Sequence, residues 1–323
     1  VESSLGINYS EFEDLLISLG FGADTFTINS THNVSTLGFV ETTTLNTGSD
    51  TDTVHINDVS DLLVVNGEDD ADTINVNGTG VGSLSTLNGD SGNDIFNIRG
   101  MDGQVNVRGG TGSDTINVSD VAPLLTTTPR TTQIGSIDDI NALLDIDGGS
   151  GSRDILNVDD SRADSNNDKE GTLTATTIRG LELNVGIDYL ALEELNIWLG
   201  FGDNTFHIND THTTETTVNT AQGTDTVNIN NASGLLTVNT EQQNDIINVR
   251  ATNLGSEVRI NGHEGFDADM KSKGLKRLFL HAASIEFTHP NTDERLKIEA
   301  PLEPSLERLL TKLVKIRKVT NSF

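Results

Sequence analysis

One spacing constrains this chain more than any other: a small apolar residue followed seven positions later by an acidic or amide residue. The pairs are Ile17/Asp24, Leu45/Asp52, Val65/Asp72, Leu87/Asp94, Val107/Asp114, Ile146/Asp154, Ile197/Asn204, Val218/Asp225, Val238/Asp245 and Ile260/Asp267, and only Ile146/Asp154 departs, with a separation of eight. After the closing residue, apolar side chains stand at the second and fourth positions in nine of the ten units, for example Ile74 and Val76, Phe96 and Ile98, Ile116 and Val118. A period of two marks a strand with one buried face. Each unit is therefore a strand, a Gly/Asn/Asp turn and a second strand, seen most plainly in QVNVRGGTGSDTINV, residues 104–118. The tenth unit fails, because Asp267 is followed by Asp269 and Lys271.

Successive closing positions are 28, 20, 22, 20, 40, 50, 21, 20 and 22 residues apart. About 20 residues suits one coil of two strands and two turns, so the long steps hold extra coils or loops. One coil cannot bury its own apolar row, and coils must stack at roughly 4.8 Å. The spacing predicts an all-β fold over residues 1–267: a parallel β-solenoid, as a β-roll or β-helix, of about 10–12 coils. This also accounts for a composition that would otherwise suggest disorder, 34% hydrophobic with a formal charge of −29. A narrow core needs only β-branched and Leu side chains, leaving Thr and Asn outside. The third position after the turn gives His55, Asn75, Asn97, Asn117, Asn157, His207, Asn228 and Asn248. These form either an amide ladder between coils or a polar solvent face. A longer copy lies over this pattern: Gly6 to His32 aligns with Gly186 to His212 at an offset of 180, with 16 of 27 positions identical, which reads as a duplicated module.

Asp114 shares the parity of Ile116 and Val118, so its carboxylate is expected to point into the coil, where it needs partners. Backbone N–H groups of the turn could serve, with the Asp capping its own turn, and so could a hard cation bound by carboxylate and carbonyl oxygens. Stacking places equivalent Asp residues about 5 Å apart, costing on the order of 1 kcal/mol per pair even in water. A divalent ion would reverse that sign. The turn Gly109-Gly110-Thr111-Gly112-Ser113-Asp114, with Gly89-Asp90-Ser91-Gly92-Asn93-Asp94 and the one-residue-longer Gly148 to Asp154, resembles the haemolysin-type calcium-binding repeats, the RTX family. That resemblance implies Ca²⁺ between successive turns, held by Asp94 and Asp114 foremost and by Asp72 and Asp154 beside them. The pattern departs from the family in having one such turn per 20 or so residues rather than two in about 18. The turns ending at Asp72, Asp225 and Asp245 have also lost glycines.

Composition changes after residue 267. From Asp269 onward there are 11 Lys/Arg against 7 Asp/Glu, net +4, which leaves 9 basic and 42 acidic residues before it, net −33. Residues 268–323 are expected to form a small α+β segment of two strands, Leu275 to Phe287 and Arg295 to Glu299, and one helix with Leu306, Leu309, Leu310 and Leu313 on one face and Ser305 as N-cap. In GLKRLFLHA (Gly274 to Ala282), FTHP (Phe287 to Pro290) and IEAPL (Ile298 to Leu302), the segment resembles the C-terminal end of the ribosomal large-subunit pseudouridine synthases. That family implies a mixed α/β catalytic domain, a cytoplasmic setting and isomerisation of uridine in 23S ribosomal RNA by an Asp in a His-Arg-Leu-Asp string. No such string occurs in these 323 residues.

These features set the functional expectations. The chain has no Cys, which excludes disulfides, thiolate metal sites and a Cys nucleophile. The charge of residues 1–267 opposes nucleic acid and favours divalent cations as partners. Val1 stands where an initiator Met would, no leader-like run follows, and no apolar stretch is long enough for a membrane span, so the chain reads as a piece of something longer. The pairs Asp69/Asp70, Asp138/Asp139 and Asp159/Asp160 read as chance adjacency among 49 acids, and His32, His55, His207 and His212 as solvated side chains, with a transition-metal site as the alternative. The expectation is an extracellular or cell-surface structural protein, adhesin-like, Ca²⁺-stabilised, with an unidentified surface or matrix partner and no enzymatic role. The alternative is a cytoplasmic pseudouridine synthase, judged inactive because covalent catalysis needs its nucleophile.

Overall fold

The computed structural model describes residues 12–31, 40–124, 134–162, 169–241 and 244–262, together with the backbone of 284–288 and 295–299. The chain divides into two units, Val1–Asn261 and Gly262–Phe323.

The first unit is a β-solenoid of two long sheets. The first sheet begins with β1 (Asp14–Phe21), β3 (Thr42–Ser49), β5 (Leu62–Asn66), β7 (Leu84–Asn88), β9 (Gln104–Gly112) and β11 (Leu143–Gly151), all parallel. The second runs beside it with β2 (Thr25–Ile28), β4 (Thr53–Ile56), β6 (Thr73–Val76), β8 (Ile95–Ile98), β10 (Thr115–Val118) and β12 (Ile155–Asp159), also parallel. Each coil contributes one strand to each sheet, and the apolar residues stack without a register slip. Ile17, Leu45, Val65, Leu87, Val107, Ile146 and Tyr189 form one column. Ile28, Ile56, Val76, Ile98, Val118 and Val158 form another. Nearly all of these side chains are buried. A one-residue slip would turn every one of them outward, which is why period two fixes the register.

The pattern then changes phase. Three strands, β13 (Glu170–Leu173), β14 (Thr177–Gly180) and β15 (Gly186–Leu190), fold back on one another in two antiparallel steps and enter the first sheet between β11 and β17 (Thr205–Ile208). Two reversals restore the original direction, so β17, β19 (Thr226–Ile229) and β21 (Ile246–Val249) continue the first sheet in parallel. Meanwhile β16 (Glu194–Trp198), β18 (Glu215–Asn219), β20 (Leu235–Asn239) and β22 (Glu257–Asn261) extend the second. The sheets end with 12 and 10 strands.

Before this junction, the strand ahead of each Asp turn lies in the first sheet; after it, that strand lies in the second. The duplicated modules are consequently half a coil out of phase, with Ile17 on β1 in one sheet and Ile197 on β16 in the other. In the second unit β23 (Ser284–Thr288) and β24 (Arg295–Glu299) pair antiparallel. The described residues contain no helix; the helix predicted around Leu306 to Leu313 lies outside them.

The amide ladder forms, and from Asn75 to Asn157 it is buried rather than solvent-facing. Asn97 donates to Asn75, Asn117 to Asn97 and Asn157 to Asn117, each at 3.0 Å, and Asn196 continues the row by donating to Asn157 at 3.1 Å. Asn196 was not foreseen because it precedes its turn, and only the phase change brings it above Asn157. Removing one amide strands buried partners on both sides. Asn117→Ala is expected to lower stability by about 1–3 kcal/mol, whereas Asn248→Ala, exposed near the end of the first sheet, should shift it by less than about 0.5 kcal/mol. Urea midpoints followed by far-ultraviolet circular dichroism measure both.

Candidate functional site

The turn aspartates are the natural place to look for chemistry, because the fold lines them up inside the coil. Asp72, Asp94, Asp114 and Asp154 are all buried, and so is Asp52. Each carboxylate reaches toward the preceding coil. The backbone N–H of Asp52 donates to Asp72 Oδ1 (2.7 Å), that of Asp72 to Asp94 (2.8 Å), of Asp94 to Asp114 (2.8 Å) and of Asp114 to Asp154 (2.8 Å). Glu193 closes the row by accepting from the Asp154 N–H at 2.7 Å. The turn is thus capped between coils rather than by each Asp on its own backbone.

The other oxygen has a different neighbour. Oδ2 of Asp52, Asp72, Asp94, Asp114 and Asp154 is buried without a hydrogen-bond partner. In three of these turns it lies against the Cα of the turn's first glycine: a Cβ added to Gly67, Gly89 or Gly109 would overlap Oδ2 of Asp72, Asp94 or Asp114 and the carbonyl oxygen of the next coil's glycine. Burial therefore pushes these carboxyls up, against the pull of the N–H bond and helped by neighbouring column charges, to about 6 for Asp72, about 7 for Asp94 and about 6 for Asp114; Asp154 moves the same way.

Ca²⁺ takes six to eight oxygens at about 2.3–2.6 Å. Here one oxygen of each carboxylate is engaged by an N–H group, whose positive end repels a cation, and in Asp72, Asp94 and Asp114 the other is packed against a glycine. Among the described residues no three His, Asp or Glu side chains are grouped to hold a metal. The interior column as placed does not fit a Ca²⁺ shell.

After the junction a second column runs along the opposite edge. Asn204 Oδ1 accepts from the Lys169 N–H (3.2 Å), Asp225 from the Asn204 N–H (2.9 Å) and Asp245 from the Asp225 N–H (3.0 Å). The half-coil shift thus divides the turn residues between two columns.

Two further clusters were not foreseen. The buried Lys169 ammonium sits 2.7 Å from the buried Asp160, 3.3 Å from Asp138 and 3.5 Å from Glu182. Two of the acids dismissed as chance neighbours thus hold a buried cation beside the junction. His212 is half-buried rather than fully solvated, with Nδ1 3.1 Å from the Thr216 hydroxyl and its ring edge-on to Tyr189; burial pushes its pKa down. His32 lies outside the described residues. A polar cleft of about 400 Å³ is lined by Arg99, whose guanidinium bonds Asn77, Asn75 and the Ala122 carbonyl, and by Asp102, Asp120 and Asp139.

The overlap at the turn glycines sets a steric expectation. Gly109→Ala should destabilise the solenoid by about 1–3 kcal/mol, because both oxygens facing the new methyl belong to packed coils. Gly262→Ala, where the added carbon meets nothing, should stay within about 0.5 kcal/mol. Thermal unfolding of the two variants distinguishes them.

No protein-family model and no solved structure matches the chain. Curated proteins do match over short stretches. The chain is 52% identical over 52 residues to ribosomal large subunit pseudouridine synthase C of Vibrio cholerae, covering 16% of each chain. It is 43% identical over 72 residues to the enzyme of the same name from Yersinia pestis, covering 21% of this chain and 22% of that one. The Escherichia coli K12 enzyme is 50% identical over 54 residues, 16% of this chain and 17% of its own. The chain thus spans about a fifth or less of the length of the curated relatives it matches. Among the described residues no helix is long and apolar enough to cross a membrane. The expectation of a protein with no enzymatic role is corrected by these matches, since the proteins that share a segment with this chain are enzymes by name.

Proposed function

We propose that this protein is related in function to the ribosomal large-subunit pseudouridine synthases through its C-terminal segment, carried on an acidic β-solenoid. The observation that carries the reading is 52% identity over 52 residues to the Vibrio cholerae enzyme. It outweighs the extracellular, adhesin-like reading, for which no residue arrangement speaks. Work on ribosomal RNA also implies a cytoplasmic setting.

Charge supports a division of labour. The net −33 of residues 1–267 repels phosphate, so contact with RNA falls to the basic segment, net +4 from Asp269 onward. That segment contains a β-hairpin, β23 with β24, at the strings that carry the resemblance. The nucleophilic Asp expected of the family sits in a string that these 323 residues lack, so the test must supply it.

Residues Gly274 to Leu302 should replace the aligned stretch of the Vibrio cholerae synthase with activity retained within about tenfold, a loss of about 1.4 kcal/mol in barrier height at most. The measurement is tritium release from 5-tritiated uridine in large-subunit ribosomal RNA. A soluble, folded chimera without release would sink the proposal.

A further inference from the structure

The five interior aspartates of the first column pose a problem that the described fold does not answer with cations. Asp52, Asp72, Asp94, Asp114 and Asp154 are each no more than 3% exposed, and each stands one coil from the next. Each receives one N–H donor, from Asp24, Asp52, Asp72, Asp94 and Asp114 respectively, and keeps one buried oxygen without a partner. The charged groups that act on the column are acidic as well: Asp70 beside Asp72, Asp90 beside Asp94, and Asp147 and Glu193 beside Asp154. The nearest guanidinium in sequence, Arg153, is turned outward onto Glu194. A row of buried, like-charged groups with half its oxygens unpaired is unstable in a low-dielectric interior.

The second column shows what relieves it. Asn204 occupies the same position in its turn as these aspartates do in theirs. Its Oδ1 keeps the ladder bond, accepting from the Lys169 N–H, while Nδ2 donates to the carbonyls of Gly200 (2.8 Å) and Gly202 (3.1 Å). A neutral side chain with a donor at its second atom therefore finds acceptors in the turn. A protonated carboxyl is such a group.

We infer that Asp72, Asp94, Asp114 and Asp154 of the interior column hold protons in place of metal ions, so that folding of the first half of the solenoid takes up protons and mild acid strengthens it. The sign follows from linkage. An unfolded Asp releases its proton near 3.8, whereas the folded column releases its protons at about 6 for Asp72 and Asp114 and about 7 for Asp94. Between those limits the folded state carries more protons, so stability is gained as pH falls from about 7 toward 4 and lost as pH rises through 6 to 7.

The test is urea unfolding of the full chain at pH 8, 7, 6 and 5 with chelator present, followed by circular dichroism. The midpoint should rise as pH falls, with the folding equilibrium constant improving by up to about tenfold per pH unit for each proton taken up. Asp94→Asn and Asp114→Asn should raise the midpoint at pH 8 and flatten its pH dependence. In case a variant fails to fold, infrared spectra of the unaltered protein supply the same answer: a protonated-carboxyl band should be present at pH 6 and vanish in urea. A midpoint that is flat or falls toward pH 5, absence of that band, or a Ca²⁺-induced rise at pH 7 with no effect of acid would each overturn the inference.

Discussion

A side chain that points into a coil meets mainly its equivalents in the coils above and below, and the rest of this structure follows from that restriction. Valine stacks on leucine and isoleucine along each inner row, Asn on Asn along the amide ladder, and Asp on Asp along the turn edge. For apolar residues, like on like is favourable because each coil covers its neighbour's apolar face. For amides it is favourable too, since every amide carries both a donor and an acceptor. For carboxylates it is adverse, and the fold responds by offering each one a backbone N–H from the neighbouring coil.

The glycines of the turn are explained by the same geometry. Gly89 and Gly109 are needed less for backbone freedom than for space, because the Asp oxygen and the next coil's carbonyl already fill the place of a side chain. Gly112 differs: its φ of 135° is one that residues with a side chain rarely adopt. The turn string that resembles a calcium-binding repeat is thus accounted for here by steric demands and hydrogen bonding between coils. The chemistry that remains in the solenoid is protonic, while the chain shares a short stretch with proteins named ribosomal large subunit pseudouridine synthase C.

Much of the fold was legible from residue spacing. The apolar positions around Asp94 and Asp114, the stacking of one unit on the next and the amide row from Asn75 to Asn157 all follow from periods of two and about twenty. The inward direction of the aspartates was legible as well. Their partner was not: sequence offered the Asp's own turn or a cation, and the donor proved to be the N–H of the equivalent residue one coil earlier. Lys169 with Asp160 and Asp138 was hidden because those acids lie outside the repeat and meet the lysine only where the chain folds back.

The sequence by itself determined that this chain would wind into stacked coils with aspartates inside, because alternation and turn spacing are local properties that neighbouring residues enforce. Only the tertiary structure decided which edge each turn occupies. The near-copies around Ile17 and Ile197 share most of their residues yet lie in different sheets, since β13, β14 and β15 reverse the chain twice and pair with strands distant in sequence. Local alternation is blind to such a half-coil shift: either phase buries the same residues, and the choice rests on long-range pairing alone.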